Sequence, residues 1–97
     1  MSTELQDLSK GQAIVVRVAS QYIEIIDIPN DDTLRFFQRY VGGFIEPLSF
    51  TFKGKVMTAI INEEGLIRNL KYNELASHYI NSPIVGDVVI INPQDFK

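Results

Sequence analysis

The chain has no cysteine, no tryptophan and one histidine, His78. Without cysteine there is no disulfide, no thiolate metal ligand and no cysteine nucleophile. A lone histidine has no second one at a ligand spacing, so no metal site is expected. Ser77 cannot use His78 as a base either, because adjacent helical residues do not face each other. His78 therefore reads as a surface or half-buried structural residue. No apolar run approaches the roughly 18 residues of a membrane span. The start, Met1-Ser2-Thr3-Glu4-Leu5-Gln6-Asp7, has no basic or apolar signal region, so no signal peptide is expected. A basic cluster is also missing. Nine Lys and Arg stand against twelve Asp and Glu, a net charge of −3, and the densest basic pair is Lys53 with Lys55. Phosphate-backbone binding draws its affinity from clustered cations, so no direct nucleic-acid binding is expected.

What is present fits one small globular domain. Of 97 residues, 45% are apolar and 22% charged, too apolar for a disordered chain. Residues 1–11 are polar and read as a flexible N-terminal arm, with a helical turn around Leu5; residues 12–97 read as the domain. Residues 13–19 alternate as a β-branched strand, Ser20-Gln21 makes a turn, and residues 22–28 return as its hairpin partner. Asp31, Asp32 or Thr33 is expected to cap a helix in which Leu34, Phe37 and Val41 share the inner face and Arg35 and Arg39 the wet one. Gly42 ends it. Residues 44–52 and 55–62 read as two strands joined by Lys53-Gly54. Glu63-Glu64-Gly65 is a polar turn. Residues 73–80 suggest a short helix capped by Asn73, with Leu75 and Tyr79 inward. Residues 84–91 form a last strand apolar enough to be central. The expectation is an α+β domain of order ββαββαβ, with about five strands in a mainly antiparallel or mixed sheet, one main helix and one short one.

The candidate functional residues are few. Glu46 falls by alternation on the face of Phe44, Leu48, Phe50 and Phe52. A carboxylate held among these would need a polar partner. The competing reading is that Pro47 kinks the strand and turns Glu46 to water. Glu63-Glu64 resembles an acid pair, but neighbouring residues of an extended segment point apart, so a solvated turn is the simpler reading. Phe36 lies beside Phe37, so an exposed ring is expected there, suited to anchoring an interface. Val41-Gly42-Gly43 follows a helix rather than preceding one, so it is a helix stop and not a phosphate loop.

Three blocks stand in a recognisable order. They are Thr33-Leu34…Val41-Gly42-Gly43-Phe44-Ile45-Glu46, then Asn62-Glu63-Glu64-Gly65-Leu66…Leu70…Asn73, then Ile84-Val85-Gly86. Together they resemble the small bacterial proteins grouped as domain of unknown function 3846, over about residues 12–92. Lys71 stands where the family pattern has a proline. The resemblance implies a bacteriophage or mobile element as the source and the bacterial cytoplasm as the location, and it marks Glu46, Asn62, Glu63 and Asn73 as motif positions. Asn62 and Glu63 suit either an Asx-type turn that receives the Glu46 strand or a binding site.

Two functions of different class follow. The first is a non-enzymatic protein that binds a bacterial host protein, such as a defence or regulatory factor or a nuclease, through Asp31, Asp32, Glu63, Glu64 and Phe36. The second is a small-ligand module, for a nucleotide or signalling molecule, anchored by Glu46, Asn62 and Asn73. A homodimer through a strand edge is a third expectation. No enzyme activity and no cofactor are expected.

Overall fold

β1 and β5, the first and last strands, lie side by side in the middle of the sheet. The computed structural model describes residues 8–96. Its elements are β1 (Gln12–Val16), β2 (Ile23–Asp27), α1 (Thr33–Val41), β3 (Ile45–Phe52), β4 (Lys55–Asn62), α2 (Glu74–Ile80), β5 (Val88–Ile91) and a closing 3-10 turn (Pro93–Asp95). The five strands run in the order β2-β1-β5-β4-β3, and every neighbouring pair is antiparallel. The expected ββαββαβ order and the central place of the last strand both hold.

A helix covers each face of this sheet. Phe37 and Val41 of α1 pack on Ala13, Val15, Ile60, Val89 and Ile91. Ala76 and Ile80 of α2 pack on Ile14, Val16, Met57, Ala59, Val88 and Ile90. The double cover explains why β1 and β5 are apolar at nearly every position: residues 13–16 and 88–91 are all 0% exposed, leaving no wet face for polar residues to occupy. The outer strands retain alternation. Along β3, Leu48, Phe50 and Phe52 face the α2 side, while Ser49 and Thr51 are exposed.

Several expectations are corrected. β1 ends at Val16 rather than at residue 19, because side chains replace the ladder there. Asn73 Nδ2 donates to Val16 O at 2.9 Å, and Val18 N donates to Asp87 Oδ1 at 2.9 Å. Residues 84–87 are not yet strand. They hold one isolated bridge, Tyr72 to Val85, and then turn at Gly86, whose φ is +81°. Asp32 occupies the position before α1, but its side chain makes no capping bond. Its backbone is left-handed, unlike the extended backbone of a side-chain cap, and its carboxylate meets Arg35 Nε at 3.5 Å instead. Leu34 is 54% exposed: it lies on the angular stripe of Phe37 and Val41 but in the first turn, outside the packed cluster. Pro47 does not disturb the pairing of β3 with β4, which runs unbroken from Ile45↔Asn62 to Phe52↔Lys55.

The expected arm has two parts. Residues 1–7, with the turn around Leu5, lie outside the described residues. Leu8 is buried in the α2-side cluster. Asn92 Nδ2 donates to Leu8 O and Ser9 O at 3.0 and 3.3 Å, and Gly11 N donates to Asp95 Oδ2 at 2.9 Å.

Helix α1 yields a contrast between two residues of one stripe. Phe37→Ala should cost about 3–5 kcal/mol by leaving a cavity between helix and sheet. Leu34→Ala should stay within about 0.5 kcal/mol of the parent. Urea unfolding midpoints at an unchanged m value measure both.

Candidate functional site

The register places the ends of β1 and β4 and the starts of β2, β3 and β5 at one end of the sheet. The loops that meet there are residues 17–22, 42–44, 63–72 and 84–87. Asn73 is their hub and is 0% exposed. Its backbone is extended, so its Oδ1 can accept from Ala76 N at 3.1 Å and cap α2 as expected. The same oxygen accepts from Gln21 Nε2 at 3.1 Å. Its Nδ2 donates to Val16 O and Gly86 O, both at 2.9 Å. Gln21 adds a second fastening, accepting from Leu75 N at 2.9 Å.

Asn62 repeats the device on the other side of the end. Its Oδ1 accepts from Glu64 N at 2.8 Å, which is an Asx turn, and its Nδ2 donates to Val41 O at 2.9 Å. Glu63 N donates to Phe44 O at 2.9 Å, so the turn receives the start of the Glu46 strand, as one of the two expectations had it. Arg68 Nη1 donates to Gly42 O at 3.0 Å. The carbonyls of the last residue of α1 and of its C-cap thus have side-chain donors.

Two surfaces emerge from this fastening. One is a cleft of about 720 Å³ at the carboxyl end of α1, lined among others by Val18, Arg39, Tyr40, Leu70, Lys71 and Asp87. The other is an apolar tip. Leu66 and Ile67 are 84% and 85% exposed at the crest of the 63–69 turn, and Phe44, bonded to the base of that turn, is 63% exposed. The turn is closed by Gly65 N to Asn62 O at 3.1 Å, Arg68 N to Glu64 O at 2.8 Å and Leu70 N to Gly65 O at 3.0 Å.

The sequence-predicted residues are distributed unevenly around this end. Asn62 and Asn73 are buried, with their amides turned to the chain itself. Glu63 is exposed at the turn. Glu46 is exposed on the outermost strand. It shares the α2-side face by parity and pairs with Ile61, but the β3 side chains packed in the apolar cluster there begin only at Leu48. It therefore faces water without the kink that Pro47 was expected to impose. Phe36 is half-buried rather than displayed: it packs edge-on against Phe37 and Tyr40, with centroids 5.6 and 5.1 Å apart. Both rings belong to the α1-side cluster, against which Ile26 and Ile28 also pack. Asp31 and Asp32 are exposed at the opposite end, where β2 passes into α1, and line a smaller cavity with Asp95. No group of three metal-ligating side chains occurs among the described residues.

Sequence reading missed Gln21, Asp87 and the tip. Gln21 and Asp87 act on partners 52 to 69 residues away, and nothing local signals such a bond. Leu66-Ile67 is an apolar pair inside a polar turn and was legible as such.

These features define a class: a small antiparallel sheet with one helix on each face and a loop-built end held by buried asparagines. The chain belongs to the family described as Domain of unknown function (DUF3846), whose pattern matches residues 10–96. No curated protein and no solved structure matches it. The blocks that carry the resemblance touch one another at this end. A Cβ on Gly65 would lie 2.8 Å from Val85 Cγ2, and one on Gly86 would lie 2.8 Å from Leu70 Cδ1. One on Gly43 would lie 3.1 Å from Asn62 Nδ2.

The Asn73 network should register directly in stability. Asn73→Ala removes the cap and strands two buried carbonyls, for a loss of about 3 kcal/mol. Asn73→Ser keeps an oxygen for the cap but not the two donors, and should recover about 1 kcal/mol of that loss. Chemical denaturation of the parent and both variants tests the order.

Proposed function

We propose that this chain is a non-enzymatic binding protein that docks another protein through the tip of the 63–69 turn. The carrying observation is the near-complete exposure of Leu66 and Ile67, at 84% and 85%. Two adjacent aliphatic side chains held clear of the surface by a hydrogen-bonded turn are left uncovered by the described residues. Burying such a side chain contributes about 1.5–3 kcal/mol, so the pair suits a small anchor. Glu63, Glu64 and Arg68 surround it with both signs of charge, a rim that steers association and selects the partner.

Of the acids expected at an interface, Glu63 and Glu64 stand beside this anchor, while Asp31 and Asp32 stand at the far end of the sheet. A single docking contact at the tip therefore uses the first pair. The resemblance to a family of phage and mobile-element proteins favours a bacterial host protein as the partner.

The test is affinity capture from lysate of the bacterium that carries the gene, comparing parent, Leu66→Ser/Ile67→Ser and Asp31→Asn/Asp32→Asn. The first variant should melt within a degree or two of the parent, since it removes no buried contact. It should lose the captured partner, with affinity lower by about tenfold or more, while the second variant retains it. Capture of the same partner by the tip variant would refute the reading.

A further inference from the structure

We propose that the cleft at the carboxyl end of α1 binds a small organic phosphate with a flat apolar body, a nucleoside monophosphate being the simplest member of that class. This site is separate from the protein-docking tip and does not depend on it.

The size is right. About 720 Å³ falls within the range of about 300–1,000 Å³ for pockets that hold small ligands. The charge is local and runs against the whole. In a chain of net charge −3, Arg39 and Lys71 both line this cleft. The ion pairs found among the described residues, Arg17 with Glu24 and Arg35 with Asp32, use neither of them. With two cations against the single carboxylate of Asp87, this concave surface carries a net positive charge, which suits a phosphate group.

The carboxyl end of a helix ordinarily disfavours an anion. Here Val41 O accepts from Asn62 Nδ2 and Gly42 O accepts from Arg68 Nη1. Those carbonyls are satisfied by the fold, and Arg68 brings a third positive charge to the same helix end.

The remaining walls fit the body of the ligand. Val18 and Leu70 supply apolar surface, and Tyr40 supplies a ring. That ring is held in place: the Arg17 guanidinium lies 5.4 Å from its centroid, and Phe36 meets it edge-on at 5.1 Å. Arg17 covers one face of the ring, so a planar base has the opposite face to lie against. Asp87 completes the site. One of its carboxylate oxygens accepts from Val18 N at 2.9 Å, which fixes the group and leaves the other oxygen for a hydroxyl or amino donor. An extended nucleic acid is disfavoured by the acidic balance of the rest of the surface; a small phosphate meets only the cleft.

The experiment is a ¹H–¹⁵N correlation titration of the full chain with adenosine, guanosine, cytidine and uridine monophosphates, and with inorganic phosphate and adenosine as the two halves. At least one monophosphate should saturate and move the amides of Val18, Tyr40, Lys71 and Asp87, binding about tenfold or more tightly than inorganic phosphate or adenosine. Arg39→Ala/Lys71→Ala should weaken it by about tenfold or more at an unchanged melting temperature, since both side chains are on the surface. The proposal is overturned if no monophosphate saturates by about 10 mM, if inorganic phosphate binds as tightly, or if the double variant binds like the parent. Because only purified protein and nucleotide are present, failure here leaves the docking test at the tip unaffected.

Discussion

A buried asparagine amide governs the geometry of this domain. Where β1 and β5 stop pairing, the carbonyls of Val16 and Gly86 still lie inside the protein. Each would cost about 1–3 kcal/mol if left without a donor. Asn73 meets both with one nitrogen, while its oxygen caps α2 and accepts from Gln21. No other side chain of that length offers two donors and an acceptor from adjacent atoms. Aspartate would set oxygen against both carbonyls, and serine would reach only the cap. The position of α2 over the sheet and the path of residues 84–87 follow from that amide. Asn62 and Asn92 repeat the solution, the first between α1 and the 63–69 turn, the second between the end of β5 and residues 8 and 9.

This fastening explains why the family blocks converge at one end of the sheet. Gly43, Gly65 and Gly86 are places where another segment passes within about a methyl group of the backbone, and their neighbours are Asn62, Val85 and Leu70 of the other blocks. The motif is a set of mutual contacts that closes one end of the sheet. What the closed end presents outward is carried by other side chains: Leu66 and Ile67 on the tip, Arg39, Tyr40, Lys71 and Asp87 around the cleft.

Patterns of short range carried most of the fold. Alternation found β3 and β4, and the Lys53-Gly54 turn has positive φ at both residues, as a two-residue hairpin requires. The long apolar run before Asn92 marked β5 as central, because only a strand covered on both faces can be apolar throughout. What was not legible depended on distant partners. β1 stops early because Asn73 and Asp87 intercept its backbone from more than fifty residues away. Phe36 packs on the α1-side cluster, most of whose members come from the sheet, which the helix's own sequence does not reveal. At the candidate site, Asn62, Glu63 and Asn73 were found through their motif, and the Asx turn followed from residue chemistry. The cleft was not found, since its walls come from four separate segments.

The central position of β5 also sets the order in which the molecule can be assembled. Before β5 is in place, the β1–β2 hairpin and the β3–β4 hairpin are two half-sheets, and β1 and β4 each present a bare edge to the other. These edges are largely apolar, so the halves can pair directly with each other or with another chain, and such non-native pairing is the usual hazard of unpaired strands. The native sheet forms only when the last strand enters between them, closing contacts across most of the chain at once. Folding is therefore governed by long-range closure rather than by its local hairpins, and the youngest segment of the domain to be synthesised is the one that makes it a single cooperative unit.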